Sequence, residues 1–135
     1  MTKNKSTHAL AASLIGLAMA GIATIVLADM KDYEFQLVDQ LIKTGPDTII
    51  TVRLINKTTG KAVPDAVIFA SRLDMAPDSM PEMITRLTAM SPAEPGTYRF
   101  KANVSMAGGW QLSLGAKVQG ETGTVESKLV IRAQK

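Results

Sequence analysis

The sequence contains no cysteine, and its one histidine, His8, stands in an N-terminal stretch that reads as a leader. Without thiols the folded part has no disulfide, so in an oxidising compartment its stability rests on an apolar core. With His8 assigned to the leader, no imidazole remains. That excludes His-based acid–base catalysis, a Ser-His-Asp arrangement and imidazole metal ligation. A phosphate-cradling glycine loop and a carboxylate pair of defined spacing are also missing, so an enzyme is not expected. Charge of one sign is lacking as well. Lys3 and Lys5 belong to the leader, so 13 of the 15 basic residues face 12 acidic ones, a net charge of +1. This balance makes no case for nucleic acid or for an anionic membrane surface. No convincing amphipathic helical period, internal repeat or low-complexity tract is present.

What is present begins with an export signal. Lys3 and Lys5 precede an uncharged run from Ala9 to Leu27, and Val26-Leu27-Ala28 sets compact residues before Asp29. This is the layout of a signal peptide over residues 1–28, leaving one domain over residues 29–135. The run of 19 residues exceeds the usual apolar region of about 7 to 15 and approaches the roughly 20 of a membrane span. An uncleaved anchor over residues 9–27 is the alternative. It would be the only membrane contact, and both outcomes place the domain in the periplasm.

The domain itself alternates with a period of two. Tyr33, Phe35 and Leu37 share a face of a strand that ends near Lys43. Thr44 to Asp47 reads as a turn, and Ile50, Val52 and Leu54 form the next inward face. A polar loop, Asn56 to Asp65, leads to a third strand with Val67, Phe69 and Leu73 on one face. Ile84 to Met90 is a weaker strand, and Ser91 to Gly96 a turn. Tyr98, Phe100, Ala102, Val104 and Met106 alternate without a break. Ala107-Gly108-Gly109 then makes a tight connection to Trp110, Leu112, Leu114, Ala116 and Val118, and Val125, Leu129 and Ile131 mark a final strand. Such spacing predicts an immunoglobulin-like antiparallel β-sandwich of about seven strands, preceded by the N-terminal signal or anchor helix.

One stretch does not fit simple alternation. Met75 to Met83 holds three methionines and two prolines in nine residues. Pro77 and Pro81 remove backbone donors, so an ordered loop is expected here. A thioether is a soft, neutral donor that suits Cu(I) or Ag(I), whereas harder ions prefer imidazole, carboxylate or water. Met75, Met80, Met83 and Met106 are therefore candidate metal ligands. Each also has an ordinary reading. Met75 is in phase with Leu73 and can complete a buried strand face, and Met106 can do the same for its strand. Met80 and Met83 can cap an open end of the sandwich. Trp110 can pack against Met106 through a sulfur–aromatic contact or, if a cation binds, offer that cation its ring face. Asp74, Asp78 and Glu82 either attract a cation or are simply solvated.

Gly96, Tyr98, Met106, Gly108 and Trp110, with the three methionines upstream and Val118-Gln119-Gly120-Glu121 downstream, resemble the FixH/YtkA-like family of small extracytoplasmic domains. Within it, the chain is most similar to members associated with heavy-metal efflux systems of the resistance-nodulation-division type. The resemblance runs from Asp74 to the C-terminus. It implies a periplasmic accessory protein of copper or silver handling, with a periplasmic adaptor subunit of an efflux pump as partner. Many relatives carry a histidine beside these methionines, whereas here Asp78-Ser79 precedes Met80. That difference favours Cu(I) or Ag(I) over Cu(II). The alternative is a metal-independent interaction module that docks on such an adaptor or on an oxidase assembly partner.

Overall fold

The structure, a computed structural model, describes residues 32–135; the leader or anchor expected over residues 1–28 lies outside the described residues. Among the described residues nine strands follow one another: β1 Tyr33–Leu37, β2 Leu41–Lys43, β3 Gly45–Asn56, β4 Val67–Met75, β5 Met80–Thr85, β6 Leu87–Met90, β7 Thr97–Val104, β8 Gly108–Lys117 and β9 Val125–Gln134. They form a four-stranded sheet in the order β1-β3-β7-β6 and a five-stranded sheet in the order β2-β9-β8-β4-β5. Neighbours are antiparallel apart from the short β2–β9 pair, which is parallel. The fold is an immunoglobulin-like β-sandwich, as the alternation predicts.

Nine strands stand where about seven were expected because the chain twice crosses between sheets inside what reads as one strand. β1 pairs with β3, but after Val38–Gln40 the chain continues as β2 beside β9 in the other sheet. Likewise β5 pairs with β4, and after Arg86 the chain becomes β6 beside β7. Hydrophobic period cannot report such a crossing, since both sheets bury the same face toward each other. The expected turn at Thr44 to Asp47 is instead largely strand. Gly45 opens β3, and its ladder slips between Gly45 and Thr48, where Thr48 Oγ1 donates to the Lys43 carbonyl at 2.8 Å.

The two sheets meet through the inward residues. Ile50, Val52 and Leu54 of β3 and Phe100, Ala102 and Val104 of β7 pack with Leu73 and Met75 of β4, Trp110, Leu112, Leu114 and Ala116 of β8, and Ile131 and Ala133 of β9. Each fully buried large side chain contributes about 1.5–3 kcal/mol on leaving water, which is what a domain without disulfides depends on. Tyr98 fastens the β3–β4 loop, its hydroxyl donating to the Val63 carbonyl at 2.6 Å and accepting from the Ala66 N–H at 3.1 Å.

Two of the predicted inward residues on β4 point the other way. Val67 and Phe69 are 55% and 57% exposed, while Leu73 is fully buried. The cause is a bulge: Ile68 and Ala70 oppose the consecutive residues Ala116 and Gly115, so Phe69 is the extra residue and the phase of the strand inverts there. The displaced ring lies over Gly115, where a Cβ would sit 3.0 Å from the Phe69 Cζ. Met106 also leaves its predicted face. β7 ends at Val104, so Met106 falls in the Ser105–Ala107 connection and is 40% exposed. The tight connection therefore lies two residues earlier than Ala107–Gly109, and Gly108 already belongs to β8.

Candidate functional site

Met75 ends β4 and Met80 begins β5; the two are cross-strand partners. Between them Ala76–Asp78 forms one turn of 3-10 helix with Pro77 in its opening positions, where a fixed φ and a missing donor cost nothing. Ser79 reverses the chain at φ 61°, its N–H donating to the Ala76 carbonyl at 2.9 Å. The expected loop is thus a tight hairpin, and only residues 76–79 lie outside strands. Pro81 is tolerated within β5 because β5 is the outer strand of its sheet and pairs on one side only.

Two aspartates hold the hairpin in place. Asp74 is buried, at 4% exposure, contrary to the reading of a solvated or cation-attracting loop acid. Its Oδ1 accepts from the Ala76 N–H at 2.9 Å, and its Oδ2 accepts from Arg72 Nε at 2.6 Å. Arg72 Nη2 in turn donates to the Pro81 carbonyl at 3.0 Å, tying β4 to β5. Burial pushes the Asp74 carboxyl toward a higher pKa. The bonds from Arg72 and the Ala76 N–H, with the charges of Arg72 and Lys128, outweigh it and hold the pKa below the usual carboxylate value.

Asp78 fastens the turn to the other side of the site. Its Oδ2 accepts from the Gly109 N–H at 3.1 Å, so the 3-10 turn sits directly on the first residues of β8. That seat requires glycine. A Cβ on Gly108 would collide with Asp78 Oδ2 and lie 3.0 Å from the Met75 Cε, and one on Gly109 would lie 3.0 Å from the Pro77 Cβ. Gly108 also has φ +137°, a region that side chains avoid. A cleft of about 380 Å³ lined by Gln40, Pro77, Asp78, Gly109, Val130 and Arg132 opens beside this contact.

The four methionines occupy distinct environments around this seat. Met75 has no exposed surface, and its methyl group reaches Gly108. Met80 is half-buried against the core. Met106 is two residues before Gly108, in the connection that enters β8. Register thus brings Met75 and Met80 together, and Met106 lies in the connection that leads to the glycine beside the Met75 methyl. Met83 shares the hairpin but stands apart in the ladder. Asp74 pairs with Ile84 while Met75 pairs with Met80, so residues 81–83 bulge outward, and Met83 is 36% exposed. Trp110 is buried, and its Nε1 donates to the Met106 carbonyl at 3.0 Å. It packs in the core and fixes the Met106 backbone. Glu82 is exposed, and no group of three or more acidic, cysteine or histidine side chains suited to a metal occurs among the described residues. The donors around this seat are therefore thioethers with the Asp78 carboxylate beside them.

Sequence reasoning missed the anchoring roles of Asp74, Arg72 and Asp78. One signal was available: an aspartate two residues before Ala76 can accept that residue's N–H in an Asx turn. A second lay in Gly108-Gly109, which marks close approach by another segment as readily as a turn.

Among solved structures, the chain is similar to a DUF4785 family protein from Legionella pneumophila, with 14% identity and a TM-score of 0.47. The match covers 76% of this chain and 28% of that one, so this chain spans little more than a quarter of that protein's length. It is also similar to the Lin-41 filamin domain, with 15% identity, a TM-score of 0.46 and coverage of 80% and 97%. The ZirS C-terminal domain gives 10% identity, a TM-score of 0.47 and coverage of 98% and 80%. No curated protein matches the sequence. A family model does, over residues 27–115, a span that takes in the methionine hairpin, Met106, the paired glycines and Trp110 but stops before Val118–Glu121. Over that span, well beyond half its length, the chain belongs to the YtkA-like family.

Proposed function

We propose that this domain is a periplasmic accessory protein of heavy-metal handling or efflux that binds Cu(I) or Ag(I) as cargo through methionine thioethers. The observation that carries the proposal is the pairing of Met75 with Met80 across the hairpin, with Met106 entering from the neighbouring connection. Thioethers grouped without histidine or cysteine favour soft, low-valent ions over zinc or calcium. Met83, on the same hairpin and partly exposed, is the fourth candidate donor. The test is an Ag(I) titration of the protein followed through the methionine methyl signals by NMR. Shifts in Met75, Met80 or Met106 by one equivalent are expected. The proposal fails if none of the four methyls moves.

Met83, Ile84 and Met106 at 36%, 53% and 40% exposure favour a second reading, a metal-independent contact for an efflux-pump adaptor or an oxidase assembly partner. Flexible, polarisable methionine suits such surfaces. In that case a Met80→Gln, Met83→Gln variant loses the partner in a pull-down. Capture of the same partner by both forms counts against the reading.

A further inference from the structure

We infer that the Ala76–Asp78 turn is a gate over the Met75 thioether and that Asp78 is its latch. This rests on the thioether reading of the site and adds how access to it is controlled. With the turn seated, Met75 has no exposed surface, so a soft cation in solvent cannot reach its sulfur. The turn itself contains no buried residue. Among the described residues, its one side-chain hydrogen bond to β8 is that from the Gly109 N–H to Asp78 Oδ2.

The base of the hairpin is held separately. Asp74 binds Arg72 and the Ala76 N–H, and Arg72 binds the Pro81 carbonyl, so the turn can lift without unpairing β4 from β5. The backbone has its reversal point at Ser79, in left-handed conformation. What lies under the turn is a strip with no side chains, Gly108-Gly109, against which the Met75 methyl rests. Lifting the turn therefore uncovers the Met75 end directly, next to the cleft that borders Asp78. The methionines divide accordingly. Met83 and Met106 meet the cation in solvent, and Met75 receives it once the latch releases.

Sulfoxidation by hydrogen peroxide, located by peptide mass spectrometry on the protein without metal, reads the gate independently of any cation. In the wild type, Met83 and Met106 oxidise first and Met75 last. Asp78→Ala, which removes the acceptor, raises the Met75 rate about tenfold, the order expected for one charge-assisted hydrogen bond, while the Met83 rate stays unchanged. Asp78→Asn keeps a neutral acceptor and gives a smaller rise, and it serves if the alanine variant does not fold. An unchanged Met75 rate overturns the inference. So does a Met75 rate in Asp78→Ala that climbs steeply with sub-denaturing urea, as oxidation through global unfolding requires. If Ag(I) moves no methionine methyl while Asp78→Ala still unmasks Met75, the metal reading fails and the gate stands.

Discussion

Replacing Met75 with alanine separates what this side chain does for the fold from what it does for a cation. The side chain has no exposed surface and belongs to the core cluster, so truncation loses about 1.5–3 kcal/mol of transfer free energy. The cavity adds to this, because the Gly108 backbone beside the Met75 methyl sits in the β8–β9 ladder and cannot collapse inward. The total falls in the range of about 2–5 kcal/mol for such truncations, a large part of the stability of a domain this size. In a small domain each kcal/mol is worth about 4–8 °C in Tm, so a loss of more than about 10 °C is expected. Urea unfolding followed by the fluorescence of Trp110, the single tryptophan and 1% exposed, measures it. Met75→Leu preserves the volume and should cost less than about 1.5 kcal/mol, yet it deletes the sulfur. It is therefore the variant in which to repeat the silver titration. Met83→Ala, on the exposed bulge, should stay within about 0.5 kcal/mol. A cost below about 1 kcal/mol for Met75→Ala, or an equal cost for Met83→Ala, would refute the packing argument.

Gly108→Ala places a side chain where φ is +137° and where Asp78 and Met75 already stand; a loss of about 1–3 kcal/mol in urea unfolding is expected. Asp74 has its folded pKa lowered. Its contribution is therefore fully present above the unfolded carboxylate value of about 4 and is lost as pH falls through the folded value. Acid titration of the urea midpoint should show a steeper decline below about pH 4 in the wild type than in Asp74→Asn. Phe69→Ser, on the outer face, should change stability by no more than about 0.5–1 kcal/mol. Leu73→Ala, four residues along the same strand, should cost about 2–5 kcal/mol. Equal costs would contradict the bulge.

The long alternating segments were legible because their physics is local. Ile50, Val52 and Leu54, and Trp110 through Val118, lie where a period of two puts them, since every second side chain of an extended strand faces the other sheet. Val67 and Phe69 were not legible. One extra residue in β4 inverts the phase, and the room for it is made by Gly115 on β8, far away in sequence. Met106 failed for a similar reason. Its strand stops at Val104, and nothing in the alternation marks that end.

The candidate site divides along the same line. That any soft-metal chemistry here must use thioethers follows from composition: with no cysteine anywhere and no histidine after position 8, methionine sulfurs are the soft donors that the residues from Asp29 onward can offer. Which methionines meet is a matter of register. Met75 faces Met80 because β4 and β5 pair with residues 81–83 looped out. Met106 falls in the connection between strands because β7 stops at Val104 and β8 begins at Gly108 beneath the Asp78 turn. Residue types set the possible chemistry one position at a time, whereas burial, latch and proximity arise only when strands distant in the chain are brought side by side.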